Sequence, residues 1–149
     1  MGEQRETYFL IGVGGIGMSS IARYLIIKGH IVYGYDKVKS PLVQELLNIG
    51  IKITFDDSIQ GLNDHLKNTN ILVVYSSAIP ESHPLLDYYL KNGNYVKKRA
   101  VFLAELCKDM ISIGIAGTHG KTTTSAILSH MFLADNKKFT AFIGGIVND

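Results

Sequence analysis

Short apolar runs alternate with stretches of helical periodicity along most of this chain. Residues 8–13 read as a buried strand that runs into a glycine-rich turn. Residues 18–28 then place Met18, Ile21, Ala22, Leu25 and Ile26 at helical spacing, with Gly29 as the stop. Residues 30–35 form a second strand, closed by Asp36. Pro41 opens a helix with the stripe Leu42, Val43, Leu46 and Leu47, and Gly50 ends it. The pattern continues with a strand at 51–55, a weakly patterned short helix at 58–67 and a strand at 71–75. A helix at 85–90, a short strand at 95–97 and a helix at 101–108 complete it. Such alternation predicts an α/β fold, a Rossmann-like doubly wound parallel sheet with right-handed crossovers, over residues 7–108.

The pattern then starts over. An apolar run at 110–116 reads as a buried strand, followed by a glycine loop and a helix-like stretch at 125–134. One further strand is expected at 139–143. This predicts the opening strand–P-loop–helix of a second α/β domain over residues 109–149, with the boundary near Asp109. Residues 1–6 are polar and read as a frayed end.

The chain has 149 residues, 46% of them hydrophobic and 19% charged, which fits one globular domain with a real core and excludes a disordered chain. A formal charge of +2 gives no ground for a nucleic-acid or membrane partner. Lys97, Lys98 and Arg99 form the only basic cluster, and three charges in a row read as a solvated strand end. The single cysteine, Cys107, shares an apolar spacing with Phe102, Leu103 and Leu106 and reads as a buried structural thiol, with no disulfide or zinc pattern. No run is long enough to span a bilayer. The simplest expectation is a cytoplasmic protein.

Two loops carry candidate chemistry. Gly12, Gly14 and Gly17 fit G-x-G-x-x-G between a strand and a helix, with Asp36 at the end of the next strand. Such glycines permit a tight turn and let a pyrophosphate approach the backbone, while the acid can accept from a ribose. The motif leaves the diphosphate open: NAD and a UDP-sugar present the same groups. Ser76 and Ser77 follow the fourth strand, at the edge where open sheets bind ligands, and suit a base or sugar.

The second loop is Gly117-Thr118-His119-Gly120-Lys121-Thr122-Thr123-Thr124. Its backbone N–H groups and the following helix N-terminus suit phosphate oxygens. Lys121 would reach the outer phosphates of a nucleotide, and Thr122 would offer its hydroxyl to Mg²⁺. The usual P-loop has a glycine where Ile115 stands, so this is a compact variant. His119 is read as shaping the loop or lying over the nucleotide, and the other histidines as surface or satisfied structural groups.

With these letters, the chain resembles the Mur ligase family, and within it the type that joins L-alanine to UDP-N-acetylmuramate. The matching stretches are residues 9–19 (FLIGVGGIGMS), Gly34-Tyr35-Asp36, Ser76-Ser77-Ala78-Ile79-Pro80, Lys98-Arg99-Ala100, residues 116–124 (AGTHGKTTT) and Phe142-Ile143-Gly144-Gly145. The resemblance implies an ATP-dependent ligase of peptidoglycan precursor synthesis. ATP phosphorylates a carboxylate, and an amino group attacks the acyl phosphate. It implies that Gly12, Gly14, Gly15, Ile16 and Gly17 cradle the UDP diphosphate, and that Asp36 with Ser76, Ser77 and Ala78 meets the uridine part. It implies ATP at Gly117, Thr118, His119, Gly120, Lys121, Thr122 and Thr123, with Mg²⁺ at Thr122 and Lys121 stabilising the transferring phosphate. The family has three domains; this chain carries the first and the opening of the second. The expectation is that it binds the UDP-sugar and does not itself ligate. The rival readings are an NAD-dependent oxidoreductase domain, a regulatory nucleotide-binding module, and a family member that recycles murein peptides.

Overall fold

The computed structural model describes residues 5–68 and 71–144. Residues 1–4 and 145–149, the latter including Gly145 of the matching stretches, lie outside the described residues. Five parallel strands form one sheet: β1 (Thr7–Ile11), β2 (Ile31–Tyr35), β3 (Lys52–Thr54), β4 (Leu72–Tyr75) and β5 (Tyr95–Lys98), in the order β3-β2-β1-β4-β5. The helices are α1 (Ile16–Ile27), α2 (Pro41–Asn48), α3 (Asp64–Asn68), α4 (Pro84–Lys91), α5 (Arg99–Leu106) and α6 (Lys121–Ala134). This is the Rossmann-like sheet that the periodicity predicts for the first part of the chain.

β1 is central and apolar because it is covered on both faces. Tyr8 and Leu10 pack with Met18, Ile21 and Leu25 of α1, Leu46 of α2 and Phe102 of α5. Phe9 and Ile11 pack on the other side with Leu66 of α3 and Leu85, Leu86 and Tyr89 of α4. Phe9, Leu10 and Ile11 have no exposed surface. Burial of each such side chain stabilises the fold by about 1.5–3 kcal/mol. Ser40 caps α2 by accepting the Val43 N–H at 3.3 Å, and Pro41 supplies a preset first turn.

The register matters more for function than the layers do. Ile11 pairs with Tyr35 on one side and Tyr75 on the other, and Tyr75 pairs with Lys98. These four residues form one row across the carboxyl edge of the sheet. The next residues of the same strands are Asp36, Gly12, Ser76 and Arg99.

Four expectations need correction. Residues 110–116 form no strand and, apart from the half-buried Ile115, are exposed, with Ile111 fully so. Residues 139–143 form no strand either. An extended segment becomes a strand only by pairing, and no ladder among the described residues takes either segment. Most of 58–67 is turn, because Asp56 accepts the Ser58 N–H at 2.8 Å and bends the chain; only α3 is helical there. Cys107 is half-buried, since it caps α5, a helix whose only buried residue is Phe102. Beyond α5, Phe142 packs edge-on against Tyr24 of α1 at 5.6 Å and borders the core on that side.

Candidate functional site

The first glycine loop is fastened by the chain's own backbone. The N–H groups of Gly12 and Val13 both donate to the Tyr35 carbonyl, at 2.8 and 3.0 Å. Gly12 has φ of +82°, a conformation that side chains disfavour, and a Cβ there would lie 3.2 Å from Cβ of Ser76. So β1 and β4 leave the sheet side by side. This is the point where the strand order reverses, with β2 on one side of β1 and β4 on the other.

Asp36 closes the loop from β2. Its Oδ2 accepts the Gly14 N–H at 2.7 Å, and its Oδ1 accepts the Val38 N–H at 3.0 Å. The sequence suggests Asp36 only as a partner for a ligand; the structure gives it a framework role as well. Gly14 contributes space, since a Cβ there would sit 2.6 Å from Cγ2 of Val43. The Gly15 N–H turns back to the Gly12 carbonyl at 3.3 Å. Ile16 and Gly17, in the first turn of α1, keep N–H groups with no acceptor among the described residues. Together with the helix dipole they make the anion-attracting end of the loop.

Ser76 continues the ladder by donating its N–H to the Ile11 carbonyl at 3.1 Å, and its Oγ accepts the Ala78 N–H at 3.3 Å. Ser77 and Ala78 are exposed in the turn that follows. The row of Asp36, Gly12 and Ser76 therefore brings the first loop and both polar partners to one edge.

Two functional candidates at this edge escape sequence reasoning. Arg99, grouped there with two lysines as a solvated end, is half-buried and lies against Gly17: a Cβ on Gly17 would overlap its Nη1 and lie 3.0 Å from its Cζ. Lys97 is tied to Glu105 at 2.5 Å, so Lys98 is the exposed charge of the three, with no ion pair among the described residues. The available signal was the position of Arg99 directly after a strand. His83 is the second. It stands at the N-cap of α4 without capping it, and its ring packs edge-on against Tyr35 at 4.9 Å. It is buried, and its Nδ1 has no hydrogen-bond partner. Burial pushes its pKa below the ordinary histidine value, against a smaller opposing pull from Asp57. His83 is thus neither a surface nor a satisfied histidine.

The second loop is built differently. Gly120 precedes α6 with φ of +78°, so glycine is required where the loop turns into the helix. Lys121 folds back over its own loop, donating from Nζ to the carbonyls of Gly117 at 2.6 Å and Thr118 at 3.2 Å. The N–H groups of Lys121, Thr122 and Thr123 have no acceptor among the described residues. His119 is exposed and Thr122 half-buried. These donors and the Thr122 hydroxyl fit a phosphate with a bound cation; Thr122 by itself is one ligand, and no cluster of three acidic, histidine or cysteine residues among the described residues could hold a metal. No helix among them is long and apolar enough to cross a membrane.

Comparison with known proteins places these loops in context. A family profile described as "Mur ligase family, catalytic domain" matches residues 7–110. The UDP-N-acetylmuramate--L-alanine ligase of Flavobacterium johnsoniae is 44% identical over 98% of this chain and 32% of its own length. The ligase of the same name from Porphyromonas gingivalis strain W83 is 42% identical over 97% of this chain and 32% of its own. Among solved structures, the UDP-N-acetylmuramate-alanine ligase MurC of Thermotoga maritima superposes with a TM-score of 0.84 at 27% identity, covering 95% of this chain and 32% of that one. A murein peptide ligase from Psychrobacter arcticus gives 0.77 at 27% identity, over 88% and 27%. The chain spans about a third of the length of the curated relatives it matches.

Proposed function

The chain belongs to the Mur ligase family, and from that premise we propose that residues 7–108 bind the UDP portion of UDP-N-acetylmuramate, as the first part of a ligase of peptidoglycan precursor synthesis that adds L-alanine. The observation that carries the proposal is the carboxyl-edge row. Two N–H groups at the start of α1 have no described acceptor, and the loop that leads to them touches Asp36 through Gly14 and Ser76 through Gly12, so that a diphosphate and a nucleoside can be held together.

In this reading Gly12, Gly14, Gly15, Ile16 and Gly17 wrap the diphosphate. Ile16 and Gly17 supply the N–H donors, while Gly14 supplies clearance. Ser76, Ser77, Ala78 and Asp36 meet the uridine. Gly117, Thr118, His119, Gly120, Lys121, Thr122 and Thr123 hold ATP, with Thr122 on Mg²⁺. The chemistry is phosphoryl transfer from ATP to the sugar carboxylate, followed by attack of the L-alanine amine. Two anions must meet in the first step. Lys121 and the cation offset that repulsion. For Lys121 to do so, its Nζ must leave the Gly117 and Thr118 carbonyls for phosphate oxygens, which are stronger, charged acceptors.

The 149-residue chain, on this reading, binds UDP-N-acetylmuramate and does not form the amide by itself. Residues 109–149 are proposed as the start of the ATP-binding domain, and the protein is proposed to act in the cytoplasm. Calorimetric titration tests the reading against a nicotinamide-binding rival. Saturable binding of UDP-N-acetylmuramate without binding of NADH is expected. The reverse result would sink it. The recycling alternative within the family is separated in the whole ligase by its amine substrate, L-alanine or a peptide.

A further inference from the structure

We propose that Arg99 is a binding residue for the nucleotide diphosphate, a cation brought by β5 and α5 to the loop made by β1 and α1. The inference rests on the UDP-sugar reading above and adds to it a residue from the opposite end of the same domain.

Four observations converge. Arg99 is the residue that follows Lys98 in the aligned row, as Gly12, Asp36 and Ser76 follow their own row members. Its guanidinium rests on Gly17, the last glycine of the loop, whose N–H is one of the two without an acceptor. A Cβ at that position would collide with it, so the bare backbone of Gly17 is what lets the cation approach α1. Finally, no hydrogen bond or ion pair joins the Arg99 side chain to any described residue.

Half-burial together with that last point separates Arg99 from an exposed charge such as Lys98. Lys97 nearby is held by Glu105, and Arg23 on α1 by Glu45, each at 2.5 Å. Arg99 is half-buried, and its donors meet no acceptor among the described residues. A partly desolvated guanidinium without an acceptor is costly, and an anion at the mouth of α1 would remove that cost. The planar fork suits a phosphate in a way a lysine does not. Phe102, one turn further along α5, is buried against Tyr8 at 5.8 Å and holds the start of the helix in place.

The test is calorimetry of the 149-residue chain with UDP-N-acetylmuramate and with UDP, at low and high KCl, for wild type, Arg99→Gln and Arg99→Ala. Arg99→Gln keeps a polar side chain and removes the charge together with the guanidinium that rests on Gly17; thermal melts establish that each variant is folded. The expected result is a loss of affinity of about 10- to 100-fold in both variants. A shallower salt dependence than wild type should accompany it, since one phosphate-facing charge is gone. Arg99→Lys should recover part of the affinity. If wild type binds and Arg99→Gln binds equally well with the same salt dependence, the role of Arg99 is overturned while the UDP-sugar reading stands. If wild type binds neither UDP ligand, both fall.

Discussion

Asp36 and Gly14 are joined by a 2.7 Å hydrogen bond from the Gly14 N–H to Oδ2, and a Cβ on Gly14 would come within 2.9 Å of that same oxygen. The contact couples the end of β2 to the glycine loop, so the acid proposed to meet the uridine is also a strut. Asp36→Ala leaves the Gly14 and Val38 N–H groups without their acceptor. A loss of about 1–3 kcal/mol is expected, measurable by urea unfolding. Asp36→Asn retains one acceptor oxygen and should lose less. An alanine variant that unfolds at the wild-type midpoint would refute the strut.

Gly14→Ala tests the clearance directly. The new methyl would press on Cγ2 of Val43, a residue buried in the α2 contact. Overpacking of this kind costs about 1–3 kcal/mol. In a Val43→Ala background the contact with Cγ2 of Val43 disappears while the 2.9 Å approach to Asp36 Oδ2 stays, so the cost of Gly14→Ala should shrink in part there. Additive effects in that double-mutant cycle would place the strain elsewhere.

His83 sets a pH dependence. Burial depresses its pKa in the folded chain below 6.5, and Asp57 only partly opposes this. As pH falls through 6.5 the unfolded chain therefore takes up the proton first. Stability present above that pH is progressively lost as pH drops towards the folded-state value. Thermal melts from pH 7.5 to 5 should show a falling midpoint, and His83→Asn should flatten that slope. An unchanged slope in the variant would assign the acid sensitivity to other groups.

Phe102→Ala should weaken the attachment of α5. It is the only buried residue of that helix, and its removal is expected to cost about 3–5 kcal/mol. Because α5 carries Arg99 on its first residue, the same variant should also lower affinity for UDP-N-acetylmuramate beyond what unfolding explains. Titration below the melting transition would show this; unchanged affinity would mean that Arg99 is placed by β5 alone.

The parts of this fold legible in the sequence are those set by local pattern. The five strands and the helices around them follow from apolar runs and glycine stops, and the loop from Gly12 to Gly17 carries its own spacing. Asp36 and Ser76 were visible because each ends a strand. What escaped depended on distant partners. Nothing near Arg99 in the chain says that it rests on Gly17, and nothing near His83 says that it is sealed against Tyr35. Residues 110–116 have the composition of a strand, yet pairing decides whether they are one. Residues 58–67 were lost to a side-chain turn at Asp56, a competition that periodicity does not register.

The row of Tyr35, Ile11, Tyr75 and Lys98 has a kinetic consequence. Its members come from the second, first, fourth and fifth strands to leave the chain, and the fifth lies at the outer edge of the sheet. The proposed binding edge is therefore finished only when the last strand docks, after the longest chain closures have been made. A ligand held across that edge would select molecules in which β5 is in place. Amide exchange in β5 would then slow on binding, although no atom of the strand itself need touch the ligand.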